Sequence, residues 1–103
     1  MHSEKTKNTI KFEWDKGNET KSLITHKITI EETEEAFYDK NAFVDNDRLH
    51  SEEEARLILI GKTKKGKLLY IAFTVREGRI RPISSRPINR KEVQMYEKKV
   101  DNS

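Results

Sequence analysis

The sequence predicts an α+β domain in the order β-α-α-β-β-β-α, with an antiparallel sheet packed by helices on one face. Three observations lead there. Residues 56–85 hold three runs rich in β-branched and aromatic residues, parted only by short turns, and short turns make successive strands antiparallel neighbours. Thr29-Ile30-Glu31-Glu32 has the capping-box pattern of a helix start. Val93, Tyr96 and Val100 keep the spacing of one helical face.

Taken in order, residues 1–8 are polar and are expected to fray, as are residues 100–103. Thr9 to Trp14 alternates, with Ile10, Phe12 and Trp14 on one side, and reads as a first strand. Asp15 can cap a helix to about Thr25. That helix is weakly specified, because Gly17 lies in its first turn and only Leu23 and Ile24 are strongly apolar. The capping box then starts a helix from about Ile30 to Tyr38, with Ala36 and Phe37 on its buried side. Glu31, Glu32, Glu34 and Glu35 face outward, and acids near a helix start favour its dipole without any functional reason. Ala42 to Val44 suits a short strand, Asn46 to Glu54 a loop, and Arg56-Leu57-Ile58-Leu59-Ile60 a buried strand.

Lys64-Lys65-Gly66 turns the chain into a hairpin: Leu68 to Val75, the turn Glu77-Gly78, and Arg79 to Ser85. A two-residue turn sets Arg76 opposite Arg79, Thr74 opposite Arg81, Ala72 opposite Ile83 and Tyr70 opposite Ser85, all on one face. The other face holds Leu69, Ile71, Phe73, Val75, Ile80 and Pro82. One side is therefore a core wall. The other is an arginine-bearing plate, expected to be the face the helices leave open. Arg86 is the misfit: simple alternation turns it toward the core, unless Pro82 forces a bulge or the strand has already ended. Beyond Pro87, Asn89 can cap a last helix, with Glu92 three residues on.

Length and composition bound the function. At 103 residues the chain is expected to be a single domain. With 33% hydrophobic and 38% charged residues, it can bury one small core but no large cavity. The absence of cysteine excludes disulfides and thiolate metal sites and suits a reducing compartment. No run approaches a membrane span and the start has no apolar leader, so a cytoplasmic protein away from the membrane is expected. The net charge of +3 hides an asymmetry. Residues 1–60 hold 9 Lys+Arg against 14 Asp+Glu, and residues 61–103 hold 12 against 4. The basic half suits a polyanion or an acidic partner, or a merely solubilising surface. No phosphate-cradling glycine loop and no nucleophile elbow occurs.

Arginine on a sheet face is a good phosphate ligand, because its guanidinium is always charged and offers a fork of donors. Arg76, Arg79 and Arg81 on one plate would trap RNA or DNA; a solvated outer face is the plain alternative. His26 can transfer a proton near neutral pH or simply cap a helix end. Glu92 is a capping residue first and a proton acceptor second. Tyr96 is expected to be packed with its hydroxyl at the surface. His2, His26 and His50 lack metal-site spacing, so neither a metal nor another cofactor is expected.

Phe12 to Asp15 (FEWD), His26, the Gly61-centred LILIGKT, LLYIAFTVR, RIRPISSR and the Glu92…Tyr96 pair follow one another in an order that resembles the BrnT toxin family. The resemblance covers about residues 11–98. It implies a RelE-like fold and the toxin of a type II toxin–antitoxin pair, a metal-independent endoribonuclease that cleaves RNA and inhibits translation. It also implies a BrnA-like antitoxin that wraps the toxin and carries the complex to operator DNA; a homodimer is left open. On this resemblance His26, Arg81, Arg86 and Glu92 form the catalytic set and Arg56 and Arg76 hold RNA; Arg79 and Tyr70, which share the plate, are expected to hold RNA beside them. Family members usually carry lysine at the position of Asn18, asparagine at Ser22, lysine at Thr25 and glycine at Lys27. The basic residues missing from the first helix leave a second reading: a weakened or inactive member that binds an antitoxin or nucleic acid.

Overall fold

In the computed structural model, which describes residues 9–19, 26–46 and 55–101, helix α1 (Ile30–Phe37) precedes strands β1 (Phe43–Asn46), β2 (Leu57–Lys62), β3 (Leu68–Arg76) and β4 (Arg79–Pro87). Helix α2 (Arg90–Asp101) follows. The strands form one sheet in sequence order, each antiparallel to its neighbours. The arrangement is α+β, as the turn spacing predicts.

Local chemistry sets most of these boundaries. At α1, the Thr29 hydroxyl accepts from the Glu32 amide at 3.1 Å while the Glu32 carboxylate accepts from the Thr29 amide at 2.9 Å. Glu77 and Gly78 both have positive φ, 52° and 78°, the combination a two-residue hairpin turn needs to match strand twist. Asn89 and Glu92 form a second reciprocal cap, each amide donating to the other's side chain at 2.9 Å. The helix then runs to Asp101, so Val100 is helical and packs against the core instead of fraying.

The first expected strand reduces to one parallel bridge, Phe12 to Ile80. Two backbone bonds of 2.8 Å frame it, from Glu13 N–H to Ile80 and from Ile80 N–H to Lys11. Phe12 edges onto Phe37, which in turn edges onto Phe73, so this segment is anchored by aromatic contacts more than by a ladder. Trp14 donates its indole N–H to Glu34 at 2.8 Å. Asp15 does cap a turn: its carboxylate accepts from the Gly17 amide and its carbonyl from those of Asn18 and Glu19. Most of the helix expected up to Thr25 lies outside the described residues, as do residues 1–8, His50 and most of the expected 46–54 loop. His26 is helical and Lys27 follows with φ 58°. That left-handed position favours glycine, which accounts physically for the glycine that the resemblance leads one to expect there.

The expectation of helices on one face is not met. Ala36 of α1 packs with Ile28, Leu59, Leu69, Ile71 and Phe73 on one side of the sheet. Tyr96 of α2 packs with Ile58, Ile60 and Ala72 on the other, the arginine-bearing side. The reason lies in β2, where Leu57 to Ile60 is apolar on both faces and needs two covers. Tyr96 is buried to its hydroxyl, which donates to Asp39 at 2.6 Å beyond the end of α1.

Burial, with the Asp39 carboxylate beside it, pushes the Tyr96 pKa up from 10.0 to about 12. The neutral phenol is therefore stabilised in the folded chain. This contribution is complete below pH 10 and is lost as pH rises toward 12, because the unfolded tyrosine ionises first. The stability gap between wild type and Tyr96→Phe is expected to narrow by about 2–3 kcal/mol between pH 9 and 12. Chemical denaturation across that range measures it; a gap independent of pH would remove Tyr96 from the account. No helix among the described residues is long and apolar enough to cross a membrane.

Candidate functional site

Two consequences of the β3–β4 pairing build the site. Near the turn the register is the expected one, with Arg76 opposite Arg79 and Thr74 opposite Arg81. Between Ala72 and Phe73 it shifts: Phe73 faces Pro82, Ala72 faces Ser84, and Tyr70 faces Arg86. Ile83 is thus the extra residue of a bulge. The expected pairs Ala72–Ile83 and Tyr70–Ser85 are corrected accordingly. Pro82 has no N–H for the ladder, and its carbonyl accepts from the buried Asn18 side chain at 2.7 Å. The bulge returns Arg86 to the face that carries Arg76, Arg79 and Arg81. It turns Ser85 inward, where its hydroxyl meets that of Thr33 on α1 at 3.1 Å.

Arg86 is thereby placed at the start of α2. Its two terminal nitrogens meet the two Glu92 oxygens at 3.0 and 2.8 Å, a fork-to-fork pair. Its guanidinium lies over the Tyr70 ring, 3.9 Å from the centroid. Glu92's hydrogen bonds hold the Arg86 pKa above its ordinary value, against the opposing effect of burial. Glu92 is itself 9% exposed and also caps α2, so one carboxylate ties the helix start to the strand end. Glu92→Ala leaves the Asn89 amide and a half-buried guanidinium without this partner. It is expected to cost about 2 kcal/mol. A loss below ~0.5 kcal/mol in urea unfolding, within the range of an ordinary surface change, would show that the pair does not hold the helix.

Arg81 takes a different set of partners. Its side chain meets Asp15 at 2.8 Å and Glu13 at 3.5 Å. The hydrogen bond from Arg81 draws the Asp15 pKa below the usual carboxylate range. Asn18 holds this acidic segment in place: it donates to the Glu13 and Pro82 carbonyls and accepts from the Asp15 amide at 2.7 Å. Asn18, where the resemblance leads one to expect lysine, is a buried structural clasp. Neither the clasp nor the acids beside Arg81 emerged from sequence reasoning. The only signal was two carboxylates two residues apart, which has no meaning until β4 lies beside them.

The other candidates scatter more widely. Arg76 and Arg79 are exposed at the hairpin tip, and Arg56 is half-buried just before β2. His26 is exposed at a helix end. Two residues on, Ile28 is buried in the core on the opposite side of the sheet. Among the described residues nothing joins His26 to Arg81, Arg86 or Glu92. Tyr70, Arg86 and Glu92 come together as one cluster, and Arg81 stands four residue pairs along the ladder on the same face with its own acids. Among the described residues no three histidine or acidic side chains gather as a metal site would require.

A family model for the ribonuclease toxin BrnT of type II toxin–antitoxin systems matches residues 14–92. No curated protein matches the chain.

Proposed function

Since the chain belongs to the BrnT family of ribonuclease toxins of type II toxin–antitoxin systems, we propose that it is an endoribonuclease that inhibits translation by cutting RNA across the cationic face of its sheet. Membership of the family implies an antitoxin partner and an RNA target. The reading adds a RelE-like fold, a BrnA-like antitoxin, operator DNA bound through that antitoxin, action in the cytoplasm and no metal. The observation that carries it is the register that sets Arg76, Arg79, Arg81, Tyr70 and Arg86 on one face.

RNA brings its own nucleophile, so the protein has only to position groups and move protons. The 2′-hydroxyl oxygen attacks the adjacent phosphorus and the bond to the 5′-oxygen breaks. The products are a 2′,3′-cyclic phosphate and a free 5′-hydroxyl. The hydroxyl proton leaves to a base, and a proton arrives on the departing oxygen. Arg76, Arg81 and Arg86 stabilise charge on the phosphate oxygens. Arg56, Arg79 and Tyr70 hold the flanking strand. His26 transfers the protons, its exposure leaving it open to RNA. Glu92 acts second, chiefly by aiming Arg86 through the bidentate pair.

The test is incubation of the purified protein with RNA, followed by analysis of the ends formed. Cyclic phosphate and 5′-hydroxyl termini are expected. Intact RNA would overturn the reading in favour of a second one, a module that only binds its antitoxin or nucleic acid. One observation favours that second reading: Arg81 and Arg86 are each already neutralised by carboxylates of the same chain.

A further inference from the structure

The end-on fork of Arg86, the edge best suited to clasp a phosphate, is already taken. One terminal nitrogen donates to the Pro87 carbonyl at 3.1 Å and to Glu92 at 3.0 Å, and the other donates to Glu92 at 2.8 Å. One face of the guanidinium lies on the Tyr70 ring, 3.9 Å from its centroid. These contacts leave the second face and the edge that carries Nε. The side chain keeps 35% exposure, whereas that of Arg81 keeps 18%.

A guanidinium face offers no hydrogen bond. It attracts flat π-systems, by stacking and by cation–π attraction. A phosphate or a carboxylate would seek the donors in the plane instead. The flat groups of a polyanion are nucleobases, and unpaired RNA bases are commonly bound by stacking on aromatic rings and arginine planes. Here the plane is held by Glu92 on its fork, by the Pro87 carbonyl and by the ring beneath it, so a second flat group can stack with little ordering cost. Along the same face Arg81, then Arg76 and Arg79, follow toward the hairpin turn. An RNA strand whose phosphates run along them passes over this stack.

We propose that Tyr70 and Arg86 form a nucleobase site, in which an unpaired RNA base stacks on the outer face of the Arg86 guanidinium with Tyr70 beneath it. The inference rests on the reading of this face as an RNA-binding surface. It adds recognition of a base, where that reading gives Arg86 only phosphate charge to stabilise.

The probes are two 2′-O-methyl oligonucleotides of equal length that cannot be cleaved: an oligoadenylate, and the same backbone without bases. Wild type is expected to bind the oligoadenylate about tenfold more tightly, or better. Arg86→Lys keeps the charge and loses the plane; Tyr70→Leu removes the ring and keeps an apolar side chain. Each should cut the ratio to about threefold or less, and Tyr70→Phe should keep it. The ratio compares two ligands on one protein, so a smaller folded fraction does not alter it. A wild-type ratio near one would overturn the proposal whatever the variants do. So would a ratio that survives Arg86→Lys, because Arg86 would then act on phosphate alone. Cleavage of ordinary RNA is followed in parallel. Cleavage with a ratio near one removes the base site and leaves the nuclease reading standing. The expected ratios without cleavage do the reverse. If wild type neither binds nor cleaves, both fall.

Discussion

Gly61→Ala is expected to cost about 4 kcal/mol or more of folding stability, enough to leave much of the chain unfolded given the marginal stability of small domains. A Cβ at this position in β2 would lie 2.3 Å from the Ala36 carbonyl oxygen, 3.1 Å from its carbon and 3.1 Å from a Leu59 methyl. The obstacle is helix backbone, which no rotamer change can move aside. Relief requires α1 to back away from the sheet, and Ala36, at 0% exposure, sits at the centre of that contact. Close packing means that a small retreat is felt across the whole core. Urea unfolding and soluble yield measure the effect. Because the clash is with a main-chain oxygen, Ala36→Gly should not rescue Gly61→Ala. A Gly61→Ala protein with wild-type stability would refute the close approach of α1 to β2.

Removing the forked arginines is expected to have the largest effect on activity. Arg81→Ala and Arg86→Ala should each lower RNA cleavage by about 10²–10³-fold, the scale of losing one donor to a developing oxyanion. The two should differ in their structural side effects. Arg81→Ala frees Asp15, which is at the surface and readily solvated. Arg86→Ala leaves Glu92, whose side chain is 12% exposed, and should lower stability as well. Arg86→Lys keeps the charge but loses the fork and the stacking over Tyr70, so it should restore little activity. Growth arrest on induced expression in bacteria provides the second measurement. Undiminished arrest by the Arg81→Ala/Arg86→Ala double variant would sink the assignment of these residues.

Much of the hairpin was legible because its determinants are local. Glu77-Gly78 sets a two-residue turn, the turn fixes the register of Arg76, Thr74, Arg79 and Arg81, and period-2 alternation assigns their face. Legibility stopped at Pro82. A bulge is chosen by what lies beside the strand, and here that is Asn18, 64 positions away. The fate of Arg86 therefore stayed open until the fold placed it on Tyr70 and Glu92. The packing of α2 had a readable trace, since Leu57 to Ile60 offers no polar side to water, but amphipathic α2 could have covered either face. The acids on Arg81 left no usable trace, because an ion pair requires proximity that spacing along a chain does not encode.

By itself the sequence determined the turns, the two reciprocal helix caps, the order of the strands and the face of the first three arginines. Each of these depends on residues within a few positions of one another. The tertiary structure alone decided the bulge, the side on which α2 packs and the partners of Arg81 and Arg86. Each of those depends on segments distant in the chain meeting in space, where burial and charge pairing override local preference.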